Sequence, residues 1–529
     1  MIGTWVSIIP PLVAIIMVLA TRRVLLSLGS GILAGAILVA AFSPIDSLMT
    51  LWNAITVSFW IWDESVINSD NINIMLFILL LGVITAFVSL SGGSRAFAEW
   101  AMRHIKTKRG AKLLTVFLGV ALFVDDYFNA LAVGQIARPI TDRHKISRAK
   151  LAYFIDSTSA PICVVSPISS WGAYIIGLLG VIFGGAAAIS YSPLSAFVLM
   201  APMNFYVVAT LGMVFFFAWT NIDLFEMKKH EERAVKTGQL FDPNKEIPGQ
   251  LKEDFPIHSH GRVLDLVGPI VALISVTLAM MVLTGYNVSI SEGLTVSIWT
   301  IFENTNVPLS LVIGGVAGTA LAGILYITQM KKNETANIPL MVRAFVDGMK
   351  AMMPAVLILI LAWALTDLID KLDTGLYLSE VVAKANLPIA FLPAIMFILA
   401  GLMAFATGTS WGSFGILLPI AGKIMLDASP EMLLPALAAV LAGAVFGDHA
   451  SPISDTTILS STGAGANLID HVVTQLPYAL MSASIAALGY LVLGFTGSVW
   501  LGLITVLVML AVLFTLLVIR DKKVKQALA

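Results

Sequence analysis

Residues 447–463 read Gly447-Asp448-His449-Ala450-Ser451-Pro452-Ile453-Ser454-Asp455-Thr456-Thr457-Ile458-Leu459-Ser460-Ser461-Thr462-Gly463. Two aspartates, a histidine and a run of hydroxyl side chains stand here inside a strongly apolar part of the chain. Pro452 has no backbone N–H, which argues against an unbroken helix through the segment. Broken, polar backbone is tolerated at membrane depth only where protein or a water-filled cavity surrounds it. Ionisable groups at that depth are costly enough to mark function. The stretch therefore reads as one half of a transport site.

The rest of the chain supports the membrane setting. Of its 529 residues 58% are hydrophobic and only 12% charged, and the mean hydropathy is +0.92. A soluble fold would expose too much apolar surface at that balance, so an all-α polytopic membrane protein is expected. The net charge of −1 names no partner, and no basic patch points to nucleic acid. The single cysteine, Cys163, excludes an intramolecular disulfide and reads as a small apolar filler. Arg22-Arg23 follow the first apolar run instead of preceding it, which is the wrong order for a secretory signal.

Apolar runs of about 20 residues suffice to span the hydrocarbon core. They fall at roughly 4–20, 25–43, 72–92, 195–219, 263–284, 307–328, 344–366, 472–495 and 498–519. The positive-inside rule orients them. Arg22-Arg23, the cluster from Arg95 to Lys112, and the polar stretch of about 222–261 with Lys228, Lys229, Arg233, Lys236, Lys245 and Lys252 belong inside. Segments 44–71 and 285–306 carry no Lys or Arg and belong outside, with Trp60 and Trp62 as interfacial anchors. The N-terminus is then external, and the basic tail Arg520–Lys525 is cytoplasmic.

Two regions resist simple spanning. Residues 111–140 are apolar but interrupted by Asp125-Asp126-Tyr127-Phe128-Asn129, with basic residues on both flanks. A re-entrant hairpin entering and leaving on the cytoplasmic side fits. Residues 388–424, interrupted by Ala406-Thr407-Gly408-Thr409-Ser410-Trp411-Gly412, read as a second hairpin from the other side. Each precedes a long broken apolar segment, about 149–184 and about 431–467. Asp156-Ser157-Thr158-Ser159-Ala160-Pro161-Ile162 aligns with Gly447–Ile453, placing Pro161 on Pro452 and Gly172 on Gly463. The expected plan is two inverted-topology repeats, 1–220 and 262–495, joined by a cytoplasmic linker at 221–261. An extra C-terminal helix and basic tail follow at 496–529. Inverted repeats with broken helices meeting near the midplane are a recurrent transporter plan.

Four polar clusters should then converge. They are Asp125, Asp126 and Asn129; Asp156, Ser157, Thr158 and Ser159; Thr407, Thr409 and Ser410; and Asp448, His449, Ser451, Asp455, Thr456 and Thr457. Carboxylates, hydroxyls and carbonyls freed by helix breaks suit a hard cation such as sodium. Ser157, Thr158, Asp448, Ser451 and Asp455 are the candidate Na+ ligands. A desolvated carboxylate takes protons more readily, and a neighbouring cation expels them, which is a physical basis for exchange. Adjacent aspartates titrate as a coupled group if both face the cavity, although neighbours on a helix point about 100° apart. His449 suits a proton relay. The same residues have plainer uses: Asp448 or Asp156 as a helix cap, His449 as a packed core residue, and Thr407–Ser410 as small residues for close helix contact. Asp142 and Asp470 read as surface residues.

Four strings carry a resemblance: Val124–Asn129, Asp156–Pro161, Thr407–Gly412 and Gly447–Thr457. Together they resemble the NhaC-type sodium/proton antiporter family of the wider ion transporter superfamily, over most of the chain. The resemblance implies two inverted repeats, each with a re-entrant hairpin and an interrupted helix, often assembled as a homodimer. It implies sodium/proton antiport by alternating access in the bacterial inner membrane, with Na+ as transported or coupling ion and no other cofactor. Relatives in the family exchange malate for lactate or carry amino acids, so a sodium- or proton-coupled carrier of an amino acid or small organic acid is the alternative. An enzyme is disfavoured, since no metal-ligand spacing or nucleophile motif is present. So is a passive channel, since no repeated pore filter appears.

Overall fold

The structure is a computed structural model of the chain. It describes residues 2–21, 23–62, 65–123, 126–167, 169–184, 192–245, 247, 261–330, 337–374, 377, 380 and 388–528. Asp125 therefore lies outside the described residues, and so do Arg22 and Lys252.

Helices satisfy every backbone group within one segment, which is what a lipid-facing chain requires. The described residues are mostly helical (83%), with a small two-stranded ribbon pairing Trp60–Ile61 with Val66–Ile67. Among the described residues eight helices are long and apolar enough to cross a membrane. In the first half only Ser69–Leu90 qualifies, and four follow the linker or the second hairpin's start: Leu264–Ser291, Val307–Met330, Ile338–Lys371 and Ile389–Thr407. Pro430–Ala450, Leu468–Thr496 and Val499–Lys523 complete the set. The pair Pro193–Met203 and Phe205–Trp219, bent by 50°, passes the same test when taken together, as a broken span or a re-entrant loop. Asn204 sits at that bend and caps the second piece, its side chain accepting from Val207 N–H. The expected spans 4–20 and 25–43 fold as shorter apolar helices.

Both expected interruptions are present as helix–turn–helix units. The first runs from Lys108–Ala121 into Asp126–Arg143. Its two open ends lie together, since Lys108 Nζ donates to Lys145 O at 3.4 Å. The second runs from Leu392–Thr407 into Ser410–Ala428, turning on Gly408 at φ 75°. Each is followed by a broken helix: Arg148–Cys163 then Ser170–Gly184, and Leu433–Ala450 then Asp455–Ala464. The breaks differ from the sequence alignment in register. Pro452 lies in its break, but Pro161 is inside the Arg148–Cys163 helix, and Pro167 occupies the break that follows. A Pro near a helix end removes a single ladder bond and is absorbed there. One common offset relates the turns and the breaks of both units, and it sets Pro167, not Pro161, against Pro452.

The two ends of the quoted motif are held by backbone contact. A Cβ on Gly447 would stand 2.1 Å from Gly401 O on the second hairpin, and one on Gly463 would stand 2.4 Å from Ala130 O on the first. The broken helix of the second half is thus clamped by both hairpins.

The polar linker is not a free loop. Its helix Phe225–Thr237 sits on the first hairpin and broken helix: Lys108 Nζ lies 2.6 Å from Glu231 Oε2, and Ser147 N–H donates to Glu231 at 2.7 Å. Lys150 pairs with Asp223, and Arg148 N–H donates to Leu240 O at 3.0 Å. Asp142 and Asp470, expected at the surface, are both engaged. Asp142 takes two 2.6 Å hydrogen bonds from Arg148, and Asp470 pairs with Lys245. The remaining edge of Arg148 donates to Ala464 O at 3.2 Å and Gly465 O at 3.4 Å, capping the carbonyl end of the Asp455–Ala464 helix.

Overpacking a tight helix contact costs about 1–3 kcal/mol. Gly447→Ala and Gly463→Ala are each expected to lower the melting temperature of the detergent-purified protein. Alanine at Gly497, where nothing lies within 4 Å of an added Cβ, tests only the cost of its φ of +65° and should shift it less.

Candidate functional site

One or more residues from each of the four polar clusters meet around the Asp448–Thr457 stretch. The Leu433–Ala450 helix ends just past Asp448 and His449, and the chain restarts as a helix at Asp455 with Ser454 as its cap. That geometry folds the hydroxyls of the new helix's first turn back onto Asp448. Ser454 Oγ donates to Asp448 Oδ1, and so does Thr456 Oγ1 at 3.2 Å. From the second hairpin, Ser410 Oγ donates to Asp448 Oδ2 at 2.7 Å. The carboxylate is buried and fully engaged.

Asp156 is the corresponding centre in the first half. Its Oδ1 accepts from Ser460 Oγ at 3.2 Å. Its Oδ2 meets Thr457 Oγ1 at 3.4 Å, His471 Nε2 at 3.1 Å and Gln475 Nε2 at 2.5 Å. Gln475 also donates to His449 O at 2.6 Å. His449 bridges onward, Nε2 to Ser157 Oγ at 3.0 Å and Nδ1 to the Tyr206 hydroxyl at 2.6 Å. All of these side chains are buried. His471, Gln475 and Tyr206 were not singled out in the sequence. The first two carried a signal, as polar residues in an otherwise apolar span. Tyr206 carried none.

A second layer faces open space. A cavity of about 320 Å³ lies where the two hairpin tips meet the start of the Asp455–Ala464 helix. Asp126, Tyr127, Thr409, Trp411 and Asp455 line it. Ile74, Val307, Pro308 and Leu311, from the Ser69–Leu90 and Val307–Met330 helices, line it as well. Asp126 and Asp455 each begin a helix, where the exposed N–H groups and the dipole favour a negative charge. Trp171 Nε1 donates to Asp126 Oδ1 at 2.9 Å, and the Tyr127 hydroxyl donates to Asp455 Oδ2. Trp171 also packs edge-on to Trp411, with centroids 5.9 Å apart. Trp171, Tyr127 and Trp411 are thus site residues that carboxylate-and-hydroxyl counting passes over.

The remaining expected residues are placed away from this cavity. Asn129 Nδ2 ties the first hairpin's turn, donating to Gly119 O at 2.6 Å and Leu122 O at 2.9 Å. Thr158 and Ser159 bond to their own helix, at Phe154 O (2.7 Å) and Asp156 O (3.5 Å). Thr407 Oγ1 donates to Thr409 O at 3.3 Å, and Ser451 Oγ to Phe405 O at 2.8 Å. Of the five candidate sodium ligands, Asp455 borders the cavity, and Ser157, Thr158, Asp448 and Ser451 hydrogen-bond within the protein away from it.

With this geometry in hand, comparison with known proteins is informative. Residues 162–495 match the model of the Na+/H+ antiporter family, the NhaC type. The chain belongs to this family. As an Na+/H+ antiporter family member it is a multi-pass membrane protein and a secondary transporter, not an enzyme. A Haemophilus influenzae protein of uncharacterised function is 48% identical over 492 residues, 93% of this chain and 91% of the relative. Another Haemophilus influenzae protein, named as an uncharacterised Na+/H+ antiporter, is 42% identical over 98 residues, 18% of this chain and 20% of its own length. A malate-2H+/Na+-lactate antiporter of Bacillus subtilis is 36% identical over 111 residues, 20% of this chain and 23% of its own length.

The two layers should respond differently to mutation. Removing an acceptor from a buried network leaves its donors unpaired at about 1–3 kcal/mol each. Asp156→Ala removes the acceptor shared by His471, Gln475, Thr457 and Ser460 and is expected to lower the melting temperature strongly. Asp455→Asn, at the cavity, should move it little. Thermal unfolding in detergent followed by size-exclusion chromatography separates the two outcomes.

Proposed function

We propose that the protein is a sodium/proton antiporter of the bacterial inner membrane working by alternating access. One observation carries the reading: Asp126 and Asp455, from different halves of the chain, open onto one cavity together with Thr409. Cation and protons would compete for those two carboxylates, so binding of one expels the other. Asp448 and Asp156 lie behind them as the hydrogen-bonded frame that fixes the broken helices.

The recurrence of hairpin and broken helix supports two inverted repeats, each contributing one cavity carboxylate. The cavity lies on the seam between the hairpin unit and the Ser69–Leu90 and Val307–Met330 helices. Movement of the hairpin–broken-helix unit along that seam would open the site to one side and then the other. The charge distribution supports an external N-terminus and a cytoplasmic C-terminus. An organic acid is the weaker cargo, because no Lys, Arg or His is among the described residues lining the cavity to meet its carboxylate.

The purified protein in liposomes should change lumenal pH when sodium is added. Asp126→Asn and Asp455→Asn should each lower the rate at least about a hundredfold while the protein still elutes as a folded species. Folded protein showing no sodium-driven proton movement at any pH would sink the antiport reading. The orientation is tested in a Cys163→Ala background. A membrane-impermeant maleimide should label Leu294→Cys from the periplasmic side and leave Lys228→Cys unlabelled until the membrane is opened.

A further inference from the structure

The cavity is larger and more apolar than a bare sodium ion requires. Its volume of about 320 Å³ compares with about 30 Å³ for one water in the liquid. A hard cation wants a shell of oxygens on every side, yet much of the lining is hydrocarbon, from Ile74, Val307, Pro308 and Leu311. Lined by both carboxylates and hydrocarbon, this space suits an amphipathic cation.

The aromatic side of the site points the same way. Trp411 borders the cavity with 37% of its surface exposed. Its ring stacks on Tyr174, with centroids 4.6 Å apart and planes 24° apart. Trp171 packs edge-on to it while holding Asp126 by a 2.9 Å hydrogen bond. The indole is therefore held in position beside a carboxylate. An aromatic face paired with a carboxylate is the arrangement that recognises an organic ammonium group, through ring quadrupole and charge together. A dianion would meet two carboxylates with no described cation in the wall.

We propose that this cavity binds an organic ammonium ion as exchanged cargo, a primary amine on a short aliphatic chain. The ammonium head lies between Asp126, Asp455 and the Trp411 ring. The chain runs along Ile74, Val307 and Leu311. A diamine engages both carboxylates and is the better ligand. The inference rests on the antiport reading above and names the class of cation that the same site takes.

The test uses the full chain in liposomes with an acidic lumen, with empty vesicles subtracting uncatalysed permeation. Labelled 1,4-diaminobutane should enter saturably and should compete with sodium-driven proton movement; n-butylamine should compete more weakly. Trp411→Leu should raise the half-saturation concentration for the diamine about tenfold more than that for sodium, and Trp411→Phe should restore most of the difference. Sodium-driven proton movement that the diamine neither shares nor inhibits would overturn the inference and leave the antiport reading intact. Equal shifts for sodium and diamine in Trp411→Leu would also overturn it, by reducing the ring to packing. Flux with neither cation would remove the antiport reading on which the inference depends.

Discussion

A carboxylate cut off from water must be given its hydrogens by the protein, and at Asp448 that demand shapes everything around it. The donors come from three places: the cap of the next helix at Ser454, the first turn beyond it at Thr456, and the start of the second hairpin's return arm at Ser410. The first two are in reach because the helix stops after Ala450 and resumes at Asp455. The break that Pro452 permits is therefore what lets the buried charge be satisfied. An unpaired charge in this setting would cost several kcal/mol.

From that point the fold grows outward in shells. Thr457 and Ser460, on the helix that the break creates, reach across to Asp156 and bind the two halves at their polar centres. Glycines at both ends of the motif allow the hairpins to close on it backbone to backbone. Only the outermost shell, Asp126, Asp455 and Thr409, is left facing open volume. The inner network lies behind the two cavity carboxylates, which are themselves held by aromatic donors, Asp126 by Trp171 and Asp455 by Tyr127.

Much of this was legible in the sequence, and the reasons are local. Asp125–Asn129 and Thr407–Gly412 interrupt apolar runs, and the basic residues on both sides of the first exclude a single crossing. Pro452 and the hydroxyls after it mark a break that the structure places at residues 451–454. What escaped depends on distance along the chain. His471 and Gln475 meet Asp156 from more than 300 positions away, and Tyr206 meets His449 from 243; no spacing rule reports such pairs. The repeat register failed for a different reason. Pro161 and Pro452 share neighbours in sequence, but Pro161 sits in the last turn of the Arg148–Cys163 helix while Pro452 lies between two helices.

The linker helix has a mechanical consequence. Lys150 and Asp223 form an ion pair that is almost wholly buried, and separating such partners costs about 3–5 kcal/mol, several times the thermal energy. Arg148, whose backbone is tied to Leu240 in the same linker, grips the far end of the Asp455–Ala464 helix. The segment joining the two halves is therefore a handle rather than a tether. Any force or binding event at the aqueous surface of residues 225–240 is delivered through stiff ionic contacts to the rear of the helix whose front bears a cavity carboxylate.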